Sequence, residues 1–460
     1  MSNLFKKKYL LISFAVLFVF SLSLVFIGGH AQADDITLRW AVHPGPHVQP
    51  FEEYFVPRYE ELNPGVEIIM EQLPPDNMWQ QMMLEAQGGT PYDMGYHSPG
   101  WFGYYYEHVK GLDEYIEKYD FNLDAYADSV IESHMTHATR PDEIIAIARN
   151  PQTPFIVYRE DWFNHPDEQA AFEAEYGREL TVPETWAELY EVGEFFTREA
   201  GDTVAGEELE RDLYGYSASI NAPGGMARAF LGVFYSLGLE GFNEDFEPDL
   251  TDDILIEGVE YWSNLVNDVF PPAAANWDFL EHLSYFRDGR LALAELWPEG
   301  VMTVEDPDGQ AAGNVGYATL PRWEGNLKDL PIGRSFMGGG GHLIFDTPNS
   351  EEAFKFMQWV YEDQAVEFNQ RTAMFSRAEH FENPEILEFH SFYEDFLPVF
   401  QEQMNYGFPR QPIPEWGAVM YNATGEFAAD VVEGVMSSEE ARDRWVDRML
   451  REFRAAGYID

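Results

Sequence analysis

The sequence predicts an α/β fold built as two lobes, and three observations lead there. Short apolar segments of strand character alternate with helical ones between residues 36 and 96, as layers of helix on sheet require. A chain of 460 residues, 45% of them hydrophobic, supplies about two cores of ordinary size. Between two extended segments lies Asn150-Pro151-Gln152-Thr153-Pro154, whose prolines suit a hinge.

Taken in order, Ile36–Val42 reads as a buried strand and runs into the turn-rich His43-Pro44-Gly45-Pro46. A helix follows to Leu62, with Pro57 expected to kink it. Asn63-Pro64-Gly65 stops it, and Val66–Met70 resumes a strand. Asp76 is placed to cap a helix over 77–87, which Gly88-Gly89 ends. Tyr92–Tyr96 is the third strand, leading into Ser98-Pro99-Gly100-Trp101. Ile144–Ala148 and Phe155–Tyr158 are extended on either side of the hinge segment. Helices are expected over 184–200, 225–237, 251–268 and 276–288, and strands over 291–296 and 315–320. The run Gly338–Gly341 then precedes His342 and the apolar Leu343-Ile344-Phe345, and from Asn349 onward almost every segment is helical.

The N-terminus supplies an address. Lys6, Lys7 and Lys8 precede an apolar run from Tyr9 to Ile27, and Ala31-Gln32-Ala33 offers the small-x-small pattern of signal-peptidase cleavage. Residues 1–33 are thus expected to be a cleaved signal peptide, the alternative being a retained anchor. Either reading places the rest in a periplasmic or extracellular space.

Charge narrows the partners. The chain carries 81 Asp+Glu against 28 Lys+Arg, a formal charge of -53, and only Lys110, Lys118, Lys328 and Lys355 lie beyond residue 33. Such a surface repels phosphate backbones, so nucleic acid is excluded as a partner. Excess carboxylates destabilise a compact fold by self-repulsion unless salt screens them, which suggests adaptation to a salty exterior. With no cysteine, disulfides and thiolate metal sites are ruled out. No Gly-x-Ser-x-Gly elbow, Walker-type Gly-Lys-Ser/Thr, His-Glu-x-x-His or EF-hand loop occurs, so no cofactor or metal is implied. His134 and His137, at helical spacing, read as surface residues without a third ligand.

Four passages in order carry a family resemblance. The first joins Phe55-Val56-Pro57-Arg58-Tyr59-Glu60-Glu61-Leu62-Asn63-Pro64-Gly65-Val66 to Gly89-Thr90-Pro91-Tyr92-Asp93 and Gly111-Leu112-Asp113-Glu114-Tyr115-Ile116. The second is Thr153–Arg159 with Asp161-Trp162-Phe163, then Pro183-Glu184-Thr185-Trp186-Ala187-Glu188-Leu189. Phe286-Arg287-Asp288-Gly289-Arg290-Leu291-Ala292-Leu293 up to Trp297 is the third, and Gly338–Ile344 with Glu352–Met357 the last. Together they resemble the family 1 extracellular solute-binding proteins of ABC importers, the group containing maltose-binding protein. The resemblance implies a two-lobed periplasmic-binding-protein fold with several crossing strands and one solute held in the cleft as the lobes close. It places residues 34–150 and 291–345 in an N-terminal lobe and 151–290 and 346–460 in a helix-rich C-terminal lobe. It also implies a monomer that is not an enzyme and that delivers a sugar or oligosaccharide to membrane permease subunits. A glycerol-phosphate, polyol or sugar-acid receptor, or a secreted carbohydrate-active enzyme, is the alternative.

Ligands of open α/β sheets sit beyond the carboxyl ends of strands. The first-lobe candidates are therefore His43 and His47, Asp76 and Trp79, and Ser98 and Trp101. Sugars pair apolar C–H faces with rings of hydroxyls, so aromatic platforms beside polar groups are expected. By resemblance Trp297 is the leading platform, held extended by Pro298. Trp277 and Asp278 open the preceding helix as a further platform and hydroxyl acceptor. Tyr421 lies in the segment resembling the family's aromatic helix, where Met420 replaces the tryptophan of maltose-type members. Gly339 and Gly340 allow close backbone approach, and Arg334, His342 and Arg377 are nearby groups of cationic type.

Overall fold

The structure, a computed structural model, describes residues 35–45, 47–74, 78–98, 106–137, 140, 142–221, 223–250, 253–411 and 413–460. Residues 1–33, expected to be a signal peptide, and Asp76 and Trp101 lie outside these residues. The strands in chain order are β1 (Ile36–Val42), β2 (Val66–Gln72), β3 (Met94–His97), β4 (Ala146–Ala148), β5 (Phe155–Arg159), β6 (Thr203–Val204), β7 (Glu207–Glu208), β8 (Tyr214–Ser217), β9 (Leu291–Leu296), β10 (Val315–Ala318) and β11 (Gly341–Ile344). They form two mixed sheets, one per lobe, and a small hairpin, β6 with β7.

The first sheet has the order β2-β1-β3-β11-β4. β1 runs parallel to β2 and β3, with Ile36 opposite Val66 and Trp40 opposite Met94. β11 enters antiparallel to both β3 and β4. Leu38 and Trp40 of β1 pack with Phe354, Phe356 and Met357 of the helix Ser350–Gln358, while Ala41 faces a second cluster with Met78 and Met82. This alternation is the period-2 signature of a strand covered on both faces.

The second sheet has the order β10-β5-β9-β8. On β5, Phe155 and Val157 face one core and Ile156 the other. The helices Gly224–Ser236, Asp253–Val269, Ala423–Val432 and Ser438–Ala456 build the larger of these cores. Leu291–Leu296 and Val315–Ala318 therefore belong to the second sheet, although 291–345 was expected in the first lobe. The helix Ser350–Gln358, expected in the second lobe, covers the first. Those bounds came with the family resemblance, and the apolar runs offered no check on them, because such runs state that a strand is buried but not which neighbour it pairs with.

Among the described residues three chain crossings join the lobes. Arg149–Thr153 links β4 to β5, Ser335–Gly340 leads back from β10 to β11, and the chain changes cores at Ala373–Phe375, where Met374 belongs to the first core and Ala373 and Phe375 to the second. The first two run antiparallel, with Gly338 N–H donating to the Gln152 carbonyl at 2.6 Å and Asn150 N–H to Gly340 at 3.2 Å. The hinge expected at residues 150–154 thus coincides with one of a paired set of connections.

At Pro57, where a kink was expected, the helical run continues from Val48 to Leu62, and the turn before the proline, Phe51–Phe55, is a π-helix. Proline has no N–H to donate to the previous turn, and the wider turn lies where that bond is missing.

Candidate functional site

The residues that follow β1, β3, β4 and β9 meet where the lobes face each other, together with the returning segment Phe336–Gly340 and the loop before the π-helix Gly417–Asn422. His43, after β1, lies 4.5 Å from the ring of Tyr96 on β3. The Arg149 guanidinium sits 4.4 Å over that same ring, and Arg149 is 2% exposed. Across the interface Arg410 donates from Nη1 to Ser98 Oγ at 2.7 Å. Its guanidinium also lies 4.8 Å from Phe336 and 5.0 Å from Trp416. Phe336 is the aromatic hub, 5.7 Å from Trp297, 6.0 Å from Trp416 and 6.3 Å from Tyr421. Arg228, on the helix Gly224–Ser236, donates to Tyr421 OH at 2.8 Å.

Burial dominates the electrostatics. It drives the His43 imidazole down to about 3, helped by the nearby positive charge of Arg149, so this histidine is neutral at ordinary pH. Burial raises Glu295, on the central strand β9, to about 8, with Arg228 opposing the shift. Glu299 is also raised by burial, against the pull of Arg149. Oxygens of both carboxyl groups, Oε2 in each case, are enclosed without a hydrogen-bond partner.

The Glu295 shift has a stability consequence. The folded chain keeps this proton up to about pH 8, whereas the ordinary value of 4.5 governs the unfolded chain. Between those limits the folded state binds the extra proton, so this group makes stability fall as pH rises, and the decline ends near pH 8. Glu295→Gln is expected to remove that slope and to stabilise the protein at pH 8 by up to about 4 kcal/mol, with little effect at pH 4. Urea unfolding at pH 4, 6 and 8 measures it; a constant difference between the two proteins across pH would disprove the assignment.

The structure brings together some of the residues singled out from the sequence. Trp297, 8% exposed, Tyr421, Ser98 and His43 all lie in this cluster, as does His47, whose ring is 4.3 Å from His43. Gly339 and Gly340 adjoin it, but they are packed between strands rather than open. A Cβ on Gly340 would fall 2.0 Å from the His97 carbonyl oxygen. Met420 turns inward, buried, with its sulfur against Gly241.

Others lie elsewhere. Trp79 packs on the first-lobe cluster of Met78, Met82 and Tyr92. Asp278 spends its carboxylate in a capping box with Glu281, and Trp277 lies tilted against Tyr285, ring centres 3.8 Å apart, in a groove lined by Arg211 and Arg290. Arg334 pairs with Glu240, Arg377 with Glu362, and His342 is buried among Trp40, Phe51 and Tyr361. His134 and His137 are buried rather than on the surface, with His134 Nε2 2.9 Å from the Gly338 carbonyl.

Sequence reasoning missed Tyr96, Arg149, Arg228, Glu295, Glu299, Phe336, Arg410 and Trp416. A signal existed for three of them. Arg228 and Glu295 are single charges within apolar helix and strand runs, and Arg149 ends a buried strand beside the hinge prolines. Charges in such places are expensive unless they serve a site.

Residues 44–367 match the family of bacterial extracellular solute-binding proteins. No curated protein matches the chain in sequence. Among solved structures, it is similar to an ABC transporter solute-binding protein of Agrobacterium radiobacter in complex with ribitol, at TM-score 0.76 and 20% identity over 91% of this chain and 99% of that one. A maltose-bound protein of T. maritima matches at TM-score 0.75 and 17% identity, over 90% and 98%. A mannitol-bound solute-binding protein of Agrobacterium vitis matches at 0.73 and 17%, over 92% and 100%. With the family match spanning more than half its length and the two-lobed fold in agreement, this chain belongs to the bacterial extracellular solute-binding proteins.

Proposed function

We propose that this protein is the extracytoplasmic receptor of an ABC importer, which captures a sugar, oligosaccharide or polyol between its lobes and hands it unchanged to a membrane permease. The observation that carries this reading is the interlobe cluster in which Trp297, Phe336, Trp416, Tyr96 and Tyr421 stand beside arginines, Ser98 and two carboxyl groups. Flat rings offer faces to C–H bonds, and the polar groups fix hydroxyls. Paired crossings at 149–153 and 335–340 suit a hinge about which the lobes close. Such a receptor holds the ground state of its solute, which sets it apart from an enzyme of the same lineage.

Export by the segment 1–33, cleaved after Ala33, would deliver a monomer to the cell exterior, where its acidic surface suits high salt. The test is a melting-temperature screen in high salt against ribitol, mannitol, tagatose, maltose and longer oligosaccharides, read together with tryptophan fluorescence. A true ligand present at 100 times its Kd stabilises the native state by about 2.7 kcal/mol. Flat melting curves and silent fluorescence across the panel would refute the carbohydrate and polyol reading.

A further inference from the structure

Most arginines elsewhere in this acid-rich chain pair with carboxylates, although among the described residues Arg290 and a few others do not. Arg198 meets Glu168, Arg377 meets Glu362 and Arg159 meets Asp161, each largely out of water. The three arginines of the interlobe cluster do not follow that habit. Arg149 donates to the Asn150 amide oxygen, Arg228 to the Tyr421 hydroxyl and Arg410 to Ser98, and all three of these acceptors are neutral. Among the described residues none of the three forms an ion pair. Around them other donors also lack partners: Arg410 Nε and Asn150 Nδ2 are enclosed and unbonded, and Asn150 is 1% exposed.

An unpaired guanidinium held out of water is costly, and the cost is relieved by an anion able to accept two hydrogen bonds at once. The carboxyl groups at hand do not supply that anion. Glu295 is raised by burial into the range where it is half protonated near pH 8, leaving Glu299 as the remaining acid of the cluster to face three cations. The unbonded acceptors, Glu299 Oε2 and Gln152 Oε1, suit hydroxyl groups instead.

We propose that the solute of this cleft is a polyhydroxylated anion, a sugar acid or a phosphorylated polyol, whose charged group is held by Arg149, Arg228 and Arg410 while its hydroxyls meet Glu299 and Gln152. The proposal rests on the receptor reading above. A surface charge of -53 would repel such a solute at long range, but at 1 M salt the screening length is about 3 Å, and the local guanidiniums then decide.

Calorimetric titration of the full chain in molar salt, using compounds matched except for charge, tests it. The pairs are glucose with glucuronate, ribitol with ribitol phosphate, and glycerol with glycerol phosphate. The charged member of at least one pair is expected to bind 10-fold or more tightly than its neutral partner, with the carboxylate and phosphate arms telling which anion is taken. Arg410→Gln, at a half-buried position where glutamine can still reach Ser98, should lose most of that preference while its melting temperature stays close to that of the parent. Equal or tighter binding of the neutral partners would overturn the anion assignment and leave the receptor reading intact. Should no member of any pair bind, and the neutral panel also fail, both fall together. A charge preference that survives unchanged in both Arg410→Gln and Arg149→Gln would likewise refute the role given to these arginines.

Discussion

Gly339→Ala is expected to lower stability by about 3–5 kcal/mol, a large share of the roughly 5–15 kcal/mol that holds a native domain together. Gly339 has φ +79°, where a side chain is strained by about 1–2 kcal/mol. Its position adds a second term. A Cβ there would lie 1.7 Å from the carbonyl oxygen of Asn150, which is backbone of the neighbouring crossing and cannot swing away. Relief requires the two crossings to part, loosening the bonds between Gly338 and Gln152 and between Asn150 and Gly340, each worth about 1 kcal/mol. Gly434→Ala is the control, since it has φ +70° with open space around its Cβ, so it tests the strain alone at about 1 kcal/mol. Chemical denaturation of the two variants separates the terms. Equal losses would show that the crossings are not in contact at Gly339.

That packing explains why the glycine run was hard to read. Four consecutive glycines fit a flexible hairpin, a ligand-binding nest or a tight strand passage, and only the tertiary neighbours distinguish them. Asn150, on the crossing after β4, and His97, at the end of β3, lie far away in sequence, and no local pattern encodes such an approach. The same limit governs the site. Strand β1 was legible to its end residues because its apolar run is bounded by turn formers. β8, Tyr214–Ser217, escaped notice because four residues are too few to establish a strand period. His43 and Ser98 were singled out by the rule that ligands sit at carboxyl ends of strands, and both lie in the interlobe cluster. Arg410 was not, because it lies on a loop after a helix, and its Ser98 contact spans 312 positions. Trp277 and Asp278 show the converse error. A tryptophan and an acid at a helix start resemble a platform and its acceptor, yet the local demand for an N-cap claims the carboxylate first.

Trp297→Ala is expected to cost about 3–5 kcal/mol of stability and at least tenfold in affinity, and the two losses have different origins. The stability term follows from burial. At 8% exposure the ring fills the space between the end of β9, the Phe336 ring and Gly338, so closely that a Cβ on Gly338 would come within 2.6 Å of it. Removing the indole therefore opens a cavity beside the returning crossing. The affinity term depends on its edge being available to the solute, which the neighbouring Phe336, Trp416 and Tyr421 rings would complete as an aromatic wall. Trp297→Phe separates them, because it keeps much of the volume while shrinking the face. It should recover over half of the lost stability and retain an affinity between those of Trp297→Ala and the parent. Binding must be measured where each variant is folded, as judged by its own melting curve. If folded Trp297→Ala binds as tightly as the parent, the indole holds the crossing against the lobe and touches no solute. The aromatic contribution to recognition would then shift to Tyr96 and Tyr421, each of which holds a guanidinium, Arg149 over the Tyr96 ring and Arg228 bonded to the Tyr421 hydroxyl.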